Sequence, residues 1–364
     1  MRASPSPPSE PVRAARRFPT KGGLCAGAIL CLCHLATPAS AASPPRPDAE
    51  AVAGCRTLED AKSRLECYDT VSGRTPTEVV ADDPKAEGLR RTTLKPPSAP
   101  PTPLAERWEL EAQTDRGPFV ITSYKPNYLL VASYQDRIHK DVYTGLPKDA
   151  LDSFEVKFQI SAKTKVWPDL LSDRGDLWLG YTQVSYWQAY NTEFSAPFRE
   201  TVYEPEVIYA YRTGFSLAGF NSRLVTLALN HQSNGRSDPR SRSWNRVVLS
   251  TLWDREANRA IEFKAWWRIP EDDKDDDNPD ISDRVGRGEV WGYFKHNAHT
   301  FAAMYRTSFD PGTAGGATQL DWSFPLGGAF KGYVQYFYGY GDGLIDYDHL
   351  SHRLSLGFLL TDWM

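Results

Sequence analysis

Hydrophobic and polar residues alternate in short segments from about residue 119 to the end of the chain. Residues 154–161 read Phe-Glu-Val-Lys-Phe-Gln-Ile-Ser, and residues 225–230 read Val-Thr-Leu-Ala-Leu-Asn. Because successive side chains of a β-strand point to opposite faces, this pattern predicts strands that have one apolar face. Turn residues separate the segments. We predict twelve strands, near residues 119–134, 154–168, 174–187, 202–216, 221–232, 243–254, 259–269, 284–298, 299–309, 317–325, 330–340 and 351–361.

The aromatic residues mark where this alternating region begins. All 11 Trp residues, and all Tyr residues except Tyr68, lie at Trp108 or beyond. Strands that are rich in Tyr and Trp and have one apolar face are typical of outer-membrane barrels. Alternate residues from Leu354 to Leu360 are apolar, as expected for the last strand of such a barrel. We predict an all-β fold, a twelve-stranded antiparallel transmembrane β-barrel over residues 106–364; a soluble periplasmic β-sandwich is the alternative.

Residues 1–42 have the features of a cleaved secretory signal peptide. Basic residues between Arg13 and Lys21 precede an apolar run from Leu24 to Ala36 and the cleavage pattern Ala39-Ser40-Ala41. The apolar run is shorter than the ~20 residues of a spanning helix. After it, no apolar run of ~18 residues remains in the chain. We therefore expect an exported chain that has no helical spans.

Residues 43–105 form a separate, Pro- and Thr-rich region. Such a composition cannot pack a core, so we predict a mostly disordered periplasmic linker. Leu58–Tyr68 is predicted to form a short helix within it. A small partner-binding hairpin is the alternative for this region.

Two cysteines, Cys55 and Cys67, remain once the signal peptide is removed. In an exported chain such a pair suggests a disulfide. One straight helix would separate the two residues by about 18 Å. That distance exceeds the ~7 Å between Cα atoms that a disulfide can bridge. A disulfide here therefore requires a turn between the cysteines.

Polar residues interrupt the apolar faces of two neighbouring strands, in the segment from Asn230 to Arg246. His231 and Ser233 share a face with the apolar residues that precede them, and Asn245 shares a face with those that follow it. The apolar face of a barrel strand contacts lipid, so these side chains are expected to point outward. A hairpin that turns about Asp238-Pro239 makes residues 231 and 245 cross-strand neighbours, with Cβ atoms ~5 Å apart.

These three residue types can act together as a serine hydrolase. A serine hydroxyl is a poor nucleophile unless a base takes its proton, and His231 lies two residues from Ser233 on the same face. Asn245 can fix the tautomer of the histidine through its amide oxygen. Its neutrality matters, because a carboxylate that faces lipid is costlier to bury. The alternative is that His231 and Ser233 are polar residues at the membrane-interface end of a strand.

The same segment resembles the outer-membrane phospholipase A family. The match is close over Asn230–Arg246, where the run His-x-Ser-Asn-Gly-Arg-Ser-Asp-Pro is highly specific. Residues 181–183, 195–205, 276–281 and 339–347 also match, in the same order. The resemblance spans roughly residues 106–364 and leaves residues 1–105 outside it.

The resemblance implies an enzyme that hydrolyses acyl esters of phospholipids and lysophospholipids in the outer membrane. It implies a barrel that becomes active as a homodimer with calcium. Carried over by motif, Ser233 is the nucleophile, His231 the base and Asn245 the residue that orients the base. Gly235 resembles the residue whose backbone N–H serves the oxyanion hole.

The resemblance also implies two calcium sites. In the active-site position, Ca²⁺ is held by the carbonyl of Arg236, the hydroxyl of Ser241 and Ser195 of the partner subunit. The second site, of lower affinity, matches Asp238 and Asp277. Carbonyl, hydroxyl and carboxylate oxygens are the ligands that calcium prefers.

An acidic segment agrees with calcium binding. The run Glu271–Asp280 contains seven carboxylates, which would repel one another without cations. A solvated extracellular loop is the alternative for most of the run, and Asp277 is the residue that we expect to bind the ion.

The resemblance extends to a dimer contact and departs at the C-terminus. Gln183 resembles a glutamine near the substrate and the dimer contact, with Tyr181 beside it. The chain ends in Trp363-Met364, whereas barrels of this type usually end in an aromatic residue. This departure concerns barrel assembly and not the chemistry of the site.

Two non-enzymatic functions compete with a calcium-dependent lipase. One is a passive porin, and the other is a structural barrel that carries a periplasmic tether. A pore would place its functional polar residues inward, whereas His231, Ser233 and Asn245 have the outward parity. The formal net charge of −4 argues against a broad nucleic-acid surface.

Overall fold

The computed structural model describes residues 54–58, 60–71, 100–143, 150–309, 312, 315–328 and 330–364. The predicted signal peptide and most of the predicted linker lie outside these residues. The chain divides into two compact units, with the boundary between Lys95 and Pro96.

The first unit contains a disulfide-bonded helix. Helix α1 spans Ala61–Val71 and begins later than the predicted start at Leu58. Residues 56–58 leave the helical path before it begins. Cys55 and Cys67 are joined by a disulfide, and their Cα atoms are 5.6 Å apart. The predicted need for a turn between them is confirmed.

The described part of the second unit is built mainly from strands. Their bounds are β1 Ile121–Ser123, β2 Asn127–Gln135, β3 Phe154–Trp167, β4 Gly175–Trp187, β5 Phe198–Arg212, β6 Ser216–Leu217, β7 Phe220–Ser233, β8 Ser243–Arg255, β9 Arg259–Ile269, β10 Gly288–His296, β11 His299–Thr307, β12 Ala317–Gly327, β13 Phe330–Gly339 and β14 Ser351–Thr361. The helical elements are α2 Pro103–Trp108, the 3₁₀ turn Lys140–Val142 and α3 Ile281–Arg284.

Twelve long strands close into a barrel. Each pairs antiparallel with its neighbours along the chain, and β2 pairs with β14 to complete the ring. The short strands pair at the margins, β1 with β3 and β6 with β7. Closure gives every long strand a partner on both sides, so no unpaired edge faces the hydrocarbon. The predicted twelve-stranded antiparallel barrel is confirmed.

The outer wall of the barrel is apolar. On β14, Leu354 and Leu360 are 55 % and 60 % exposed, whereas Arg353 and Ser355 are buried on the opposite face. This alternation confirms the predicted outward face of the last strand.

The barrel interior is filled with paired charges and polar groups. Glu155 is bonded to both Arg199 and Arg353, and all three side chains are buried. Lys125 Nζ lies 2.9 Å from Glu204 Oε2. Charges removed from water are tolerated only when they have partners of this kind. Ionic contacts inside the barrel therefore link the strands of the wall to one another.

The strand predicted at 119–134 begins too early. Pro126 interrupts it, because proline has no N–H to donate to a sheet ladder. Ile121–Ser123 pairs with β3 as a separate short strand, and the barrel strand starts at Asn127.

The strand predicted at 202–216 is displaced. It begins at Phe198 and ends at Arg212. Arg199 and Glu200 are charged residues that a sequence pattern assigns to a loop, but they face the interior and are buried there. Arg199 is paired with Glu155, and Glu200 accepts a hydrogen bond from the N–H of Ile345. The strand start therefore depends on polar contacts inside the barrel and not on apolar alternation.

Helix α2 packs onto the barrel through Trp108, whose ring centroid is 5.8 Å from that of Trp178 on β4. Thr102 caps the helix, since its hydroxyl accepts from the N–H of Ala105 at 3.2 Å. The helix spans the boundary that we predicted between residues 105 and 106. Among the described residues, no helix has both the length and the apolar character needed to cross a membrane.

Candidate active site

Strands β7 and β8 form the hairpin that carries the predicted catalytic residues. His231 pairs with Asn245 across the two strands, and Ser233 pairs with Ser243. The connecting loop spans residues 234–242, and the predicted turn lies at its middle. The predicted cross-strand pairing of residues 231 and 245 is confirmed.

The three side chains lie on the lipid-facing wall. Leu229 shares the face of His231 and is 58 % exposed, whereas Asn230 on the other face is buried. His231, Ser233 and Asn245 are themselves partly exposed. Neighbouring side chains cover part of each residue, and the remaining part is accessible from the outer surface of the barrel.

A hydrogen bond joins the ring of His231 to Asn245. The atoms His231 Nδ1 and Asn245 Oδ1 are 2.8 Å apart. An amide oxygen can only accept, so the Nδ1–H of the imidazole donates to it. The other ring nitrogen, Nε2, is then free of its proton and can accept one. This is the tautomer that a histidine base requires.

Ser233 is the last residue of β7 and shares the face of His231. Its neighbours across the sheet are Tyr203 on β5 and Ser243 on β8. In the described part of the chain, the His231 ring makes its one hydrogen bond to Asn245 and none to Ser233. Catalytic hydrogen bonds are often long in unliganded enzymes and tighten when substrate binds.

A fourth residue, Glu271, bonds to the other side of the Asn245 amide. Asn245 Nδ2 donates to Glu271 Oε1 at 3.0 Å. Ile269, at the end of β9, is the cross-strand partner of Asn245, and Glu271 lies two residues further with the same parity. In the sequence, Glu271 is the first residue of an acidic run and has no apparent role in catalysis. Its parity with Ile269 is the signal that could have drawn attention to it.

Asn234 closes the loop between the two strands. Its Oδ1 accepts from the N–H groups of Arg236 and Arg242, at 3.2 and 3.1 Å. Its Nδ2 donates to the carbonyl of Arg240 at 2.8 Å. The side chain is buried, so these bonds hold the loop in one shape. Sequence reasoning assigned no role to Asn234, although it follows Ser233 directly.

Gly235 has a left-handed backbone conformation, with φ of +62°. A Cβ at this position would lie 3.1 Å from a ring carbon of Tyr203. Glycine is favoured here both by the backbone angle and by this close approach. No partner for its N–H is found among the described residues. This N–H, two residues after Ser233, is therefore available to a ligand.

The residues predicted for the first calcium site offer neutral oxygen atoms. Arg236 and Ser241 lie in the same loop, and among the described residues neither the Arg236 carbonyl nor the Ser241 hydroxyl has a hydrogen-bond partner. Ser195 lies exposed in the loop between β4 and β5, with φ of +60°. This donor set fits Ca²⁺, which takes about 6–8 oxygen ligands, water included.

The residues predicted for the second site are two unpaired carboxylates. Within the described residues, neither Asp238 nor Asp277 makes an ion pair or a side-chain hydrogen bond. The N–H of Ser243 donates to Asn278 Oδ1 at 3.0 Å, which ties the acidic loop to the catalytic hairpin. No cluster of three or more His, Cys, Asp or Glu suited to a metal occurs in the part of the chain described. Calcium here would therefore also need carbonyl oxygens or water.

The acidic run is partly neutralised by its neighbours. Arg268 bonds to Asp276 at 2.6 Å, and the hydroxyl of Tyr347 donates to Asp280. Burial, and after it the hydrogen bond to Asp280, raises the pKa of Tyr347. Together with the bond to Glu271, these contacts leave fewer free carboxylates than the run of seven suggested.

Gln183 and Tyr181 lie on β4, on the same wall of the barrel. Tyr181 Oη donates to Gln183 Oε1 at 3.1 Å, and Gln183 Nε2 donates to Ser185 Oγ at 3.2 Å. Strand β5 lies between β4 and β7, so these residues are two strands away from the catalytic hairpin.

Fold and site together define a class of protein. A closed barrel with an apolar outer wall and an ionic interior is an outer-membrane protein. Its serine, histidine and asparagine lie on the outer, lipid-facing wall of the barrel and not in the lumen. The acyl ester bonds of membrane lipids can therefore reach them from outside the barrel. The class is therefore that of membrane-embedded ester hydrolases.

Comparison with known proteins names the family within this class. The sequence model of the family described as Phospholipase A1 matches residues 104–360. This chain belongs to the Phospholipase A1 family. The predicted family, fold, ester-hydrolase activity and outer-membrane location are thereby confirmed.

Curated relatives are similar over most of their length. Phospholipase A1 of Klebsiella pneumoniae is 35 % identical over 259 residues, which are 69 % of this chain and 85 % of the relative. Phospholipase A1 of Escherichia coli K12 is 35 % identical over 260 residues, 69 % of this chain and 84 % of the relative. A putative phospholipase A1 of Neisseria meningitidis is 34 % identical, and the match covers 72 % of this chain and 70 % of the relative.

Solved structures share the fold. The outer membrane phospholipase of Salmonella typhi, described as a dimer with bound calcium, has a TM-score of 0.64 and 32 % identity, covering 70 % of this chain and 96 % of the other. Outer membrane phospholipase A of Escherichia coli has a TM-score of 0.63 and 33 % identity, covering 67 % and 95 %. An active-site mutant of the same enzyme, with an asparagine replaced by alanine, has a TM-score of 0.63 and 33 % identity, covering 69 % and 95 %.

Proposed function

We propose that this chain hydrolyses the acyl esters of phospholipids and lysophospholipids through Ser233, His231 and Asn245. One observation carries the proposal. It is the 2.8 Å hydrogen bond between His231 Nδ1 and Asn245 Oδ1 on the lipid-facing wall, with Ser233 on the same face. The asparagine replaced in the Escherichia coli active-site mutant agrees with an asparagine in this role.

The reaction proceeds in two halves. Ser233 Oγ attacks the acyl carbonyl carbon while His231 Nε2 takes the hydroxyl proton. The imidazolium keeps its Nδ1–H on Asn245 Oδ1 and returns the Nε2 proton to the departing glycerol oxygen. This leaves an acyl ester on Ser233. Water, which loses a proton to the same Nε2, then attacks this ester, and the fatty acid is released with Ser233 restored.

The developing oxyanion needs hydrogen-bond donors that are already in place. The free N–H of Gly235 is such a donor in this proposal. Donors of this kind typically contribute about 10²- to 10³-fold to the rate of acyl transfer.

Calcium would be held by the carbonyl of Arg236, the hydroxyl of Ser241 and Ser195 of the partner subunit. A second ion would be held by Asp238 and Asp277. When bound in the first site, calcium supplies positive charge that favours an oxyanion. The relative from Salmonella typhi that is described as a dimer with bound calcium supports this part of the proposal.

The active form is a homodimer in this proposal. A single barrel presents a convex wall, which cannot enclose an acyl chain by itself. A second barrel that docks against the wall bearing Tyr181 and Gln183 would create a groove. It would also bring Ser195 of the partner subunit to the calcium site.

The decisive experiment replaces the nucleophile. Ser233→Ala in purified, refolded protein should abolish calcium-dependent release of fatty acid from phospholipid vesicles. Heat-modifiable migration on gels should show an intact barrel. Ser237→Ala, an exposed serine in the same loop, is the matched control and should keep full activity. Retained hydrolysis in folded Ser233→Ala would remove Ser233 as the nucleophile.

A further inference from the structure

Glu271 lies just beyond β9 and contacts the residue that orients the catalytic base. Its Oε1 accepts a hydrogen bond from Asn245 Nδ2 at 3.0 Å. The opposite end of the same amide is 2.8 Å from His231 Nδ1. Histidine, asparagine and glutamate thus form one continuous chain of hydrogen bonds across β7, β8 and the end of β9.

The position of Glu271 follows from the register of the sheet. Asn245 pairs with Ile269, the last residue of β9. Glu271 is two residues further and projects to the same outer face, so its side chain can reach back diagonally to Asn245. It is partly exposed at the margin of the barrel, where a carboxylate can remain hydrated.

The chemistry of the two ends of an amide gives this contact a consequence. A terminal amide is pseudo-symmetric: a half-turn exchanges Oδ1 and Nδ2. If Asn245 were turned in that way, its NH₂ group would face His231 Nδ1. The imidazole would then have to accept at Nδ1 and carry its proton on Nε2. A histidine in that tautomer cannot take the proton of Ser233.

A carboxylate excludes the turned arrangement because it only accepts hydrogen bonds. With Glu271 in place, the NH₂ group of Asn245 must face the carboxylate, and Oδ1 must face His231. The negative charge of Glu271 is separated from the His231 ring by the Asn245 amide. It therefore stabilises the imidazolium that forms during the reaction. An Asp at residue 245 would face Glu271 with like charge, so a neutral amide is the residue type that suits this chain.

We propose that Glu271 is a positioning residue, which holds Asn245 in the orientation that keeps Nε2 of His231 unprotonated. The inference rests on the proposed function of Ser233, His231 and Asn245. It adds a fourth residue to the proposed triad, and this residue lies just beyond the end of a third strand, β9.

Calcium binding is the competing role for Glu271, since it begins the acidic loop that contains Asp277. The two roles differ in what calcium can restore. A ligand lost from a calcium site is compensated by a higher calcium concentration. An amide that has lost its orienting partner is not.

The test measures kcat and KM on phospholipid vesicles for Glu271→Ala and Glu271→Gln, in wild-type and Asn245→Ala backgrounds. Each variant is measured across a calcium titration that reaches saturation. Glu271→Ala should lower kcat about tenfold or more without changing KM. Glu271→Gln should fall in between, because glutamine keeps an acceptor oxygen but also tolerates the turned amide. In Asn245→Ala, Glu271→Ala should change kcat less than about twofold, since its partner is gone. Asp273→Asn, an exposed acid in the same loop, is the matched control and should be neutral.

Three outcomes would overturn the inference: unchanged kcat in folded Glu271→Ala, an equal loss in both backgrounds, or a loss that excess calcium repairs. The last would assign Glu271 to calcium binding. Failure of the proposed function has a different signature, because Asn245→Ala alone would then leave kcat unchanged.

Discussion

At the scale of the residue, the amide of Asn245 connects two environments of different polarity. On one side it accepts from the imidazole of His231 on the apolar wall, and on the other it donates to Glu271. A carboxylate placed directly beside the imidazole would be nearer to the hydrocarbon and costlier to desolvate. Because the neutral amide of Asn245 lies between them, the carboxylate of Glu271 can influence His231 while it stays in a more hydrated position.

The unequal roles of His231 and Asn245 lead to a prediction. His231→Ala removes the base and should reduce hydrolysis to background. Asn245→Ala leaves a base that is poorly oriented, so it should retain roughly tenfold to a hundredfold more activity than His231→Ala, as in triads whose orienting member is removed. Rates of fatty-acid release from the two folded variants decide the matter. Equal inactivity would mean that Asn245 does more than orient the histidine.

At the scale of the element, the catalytic hairpin depends on the side chain of Asn234. One buried amide satisfies two backbone N–H groups and one carbonyl of the loop 234–242. The loop in turn sets the left-handed angle of Gly235 and the positions of Arg236 and Ser241. The Asn234 side chain therefore stabilises both the shape of the loop and the positions of the residues that the proposed chemistry uses.

Two substitutions at Asn234 test this support. Asn234→Ala leaves buried backbone groups without partners and should lower the free energy of unfolding by about 1–3 kcal/mol, with a loss of kcat. Asn234→Asp keeps the oxygen that accepts from Arg236 and Arg242, and gives up the donor to Arg240. It should therefore retain more stability and more activity. Denaturant titration in detergent compares the free energies of unfolding of the two variants, and the vesicle assay compares their kcat. Equal losses in both variants would show that the acceptor oxygen of Asn234 does not stabilise the loop.

At the scale of the whole molecule, the barrel is a rigid platform for a site on its outer surface. Behind the hairpin, Arg246 donates to Asn230 at 2.6 Å, and Asn230 donates to Glu204 at 2.8 Å. Asn230 and Arg246 point inward and alternate with His231 and Asn245 along β7 and β8. The hydrogen bonds inside the barrel thus help to fix the positions of the catalytic residues on its outer surface. They do not provide the groove that an acyl chain needs.

The proposed dimer therefore predicts a linkage between calcium and association. An ion that binds only between two subunits must favour their association, and association must tighten its binding. Cross-linked dimer and hydrolysis rate should rise together across a calcium titration. In Ser241→Ala both midpoints should move to higher calcium, on the order of tenfold if the hydroxyl contributes about 1.4 kcal/mol.

Ser237→Ala serves as the control for this titration, because Ser237 is an exposed serine of the same loop. Its midpoints should match those of the wild type. Full activity in chelator, or in a preparation shown to be monomeric, would contradict the calcium and dimer proposal. It would leave the serine chemistry untouched.

Strand parity could be read from the sequence because the side chains of a strand repeat every two residues, whatever the strand packs against. That rule alone placed Ser233, His231 and Asn245 on one apolar face, and a turn near residue 238 was enough to pair residues 231 and 245. The resemblance of Asn230–Arg246 to a known family then attached chemistry to the face.

Tertiary structure decided the features that depend on which strands meet and which charges find partners. The start of β5 at Phe198 required knowing that Arg199 would be neutralised by Glu155 across the interior. The contact of Glu271 with Asn245 required the register between β8 and β9, together with the path of the chain beyond Ile269. No local pattern encodes these choices, because an ion pair or a hydrogen bond stabilises a fold only after separate strands have brought its two members together.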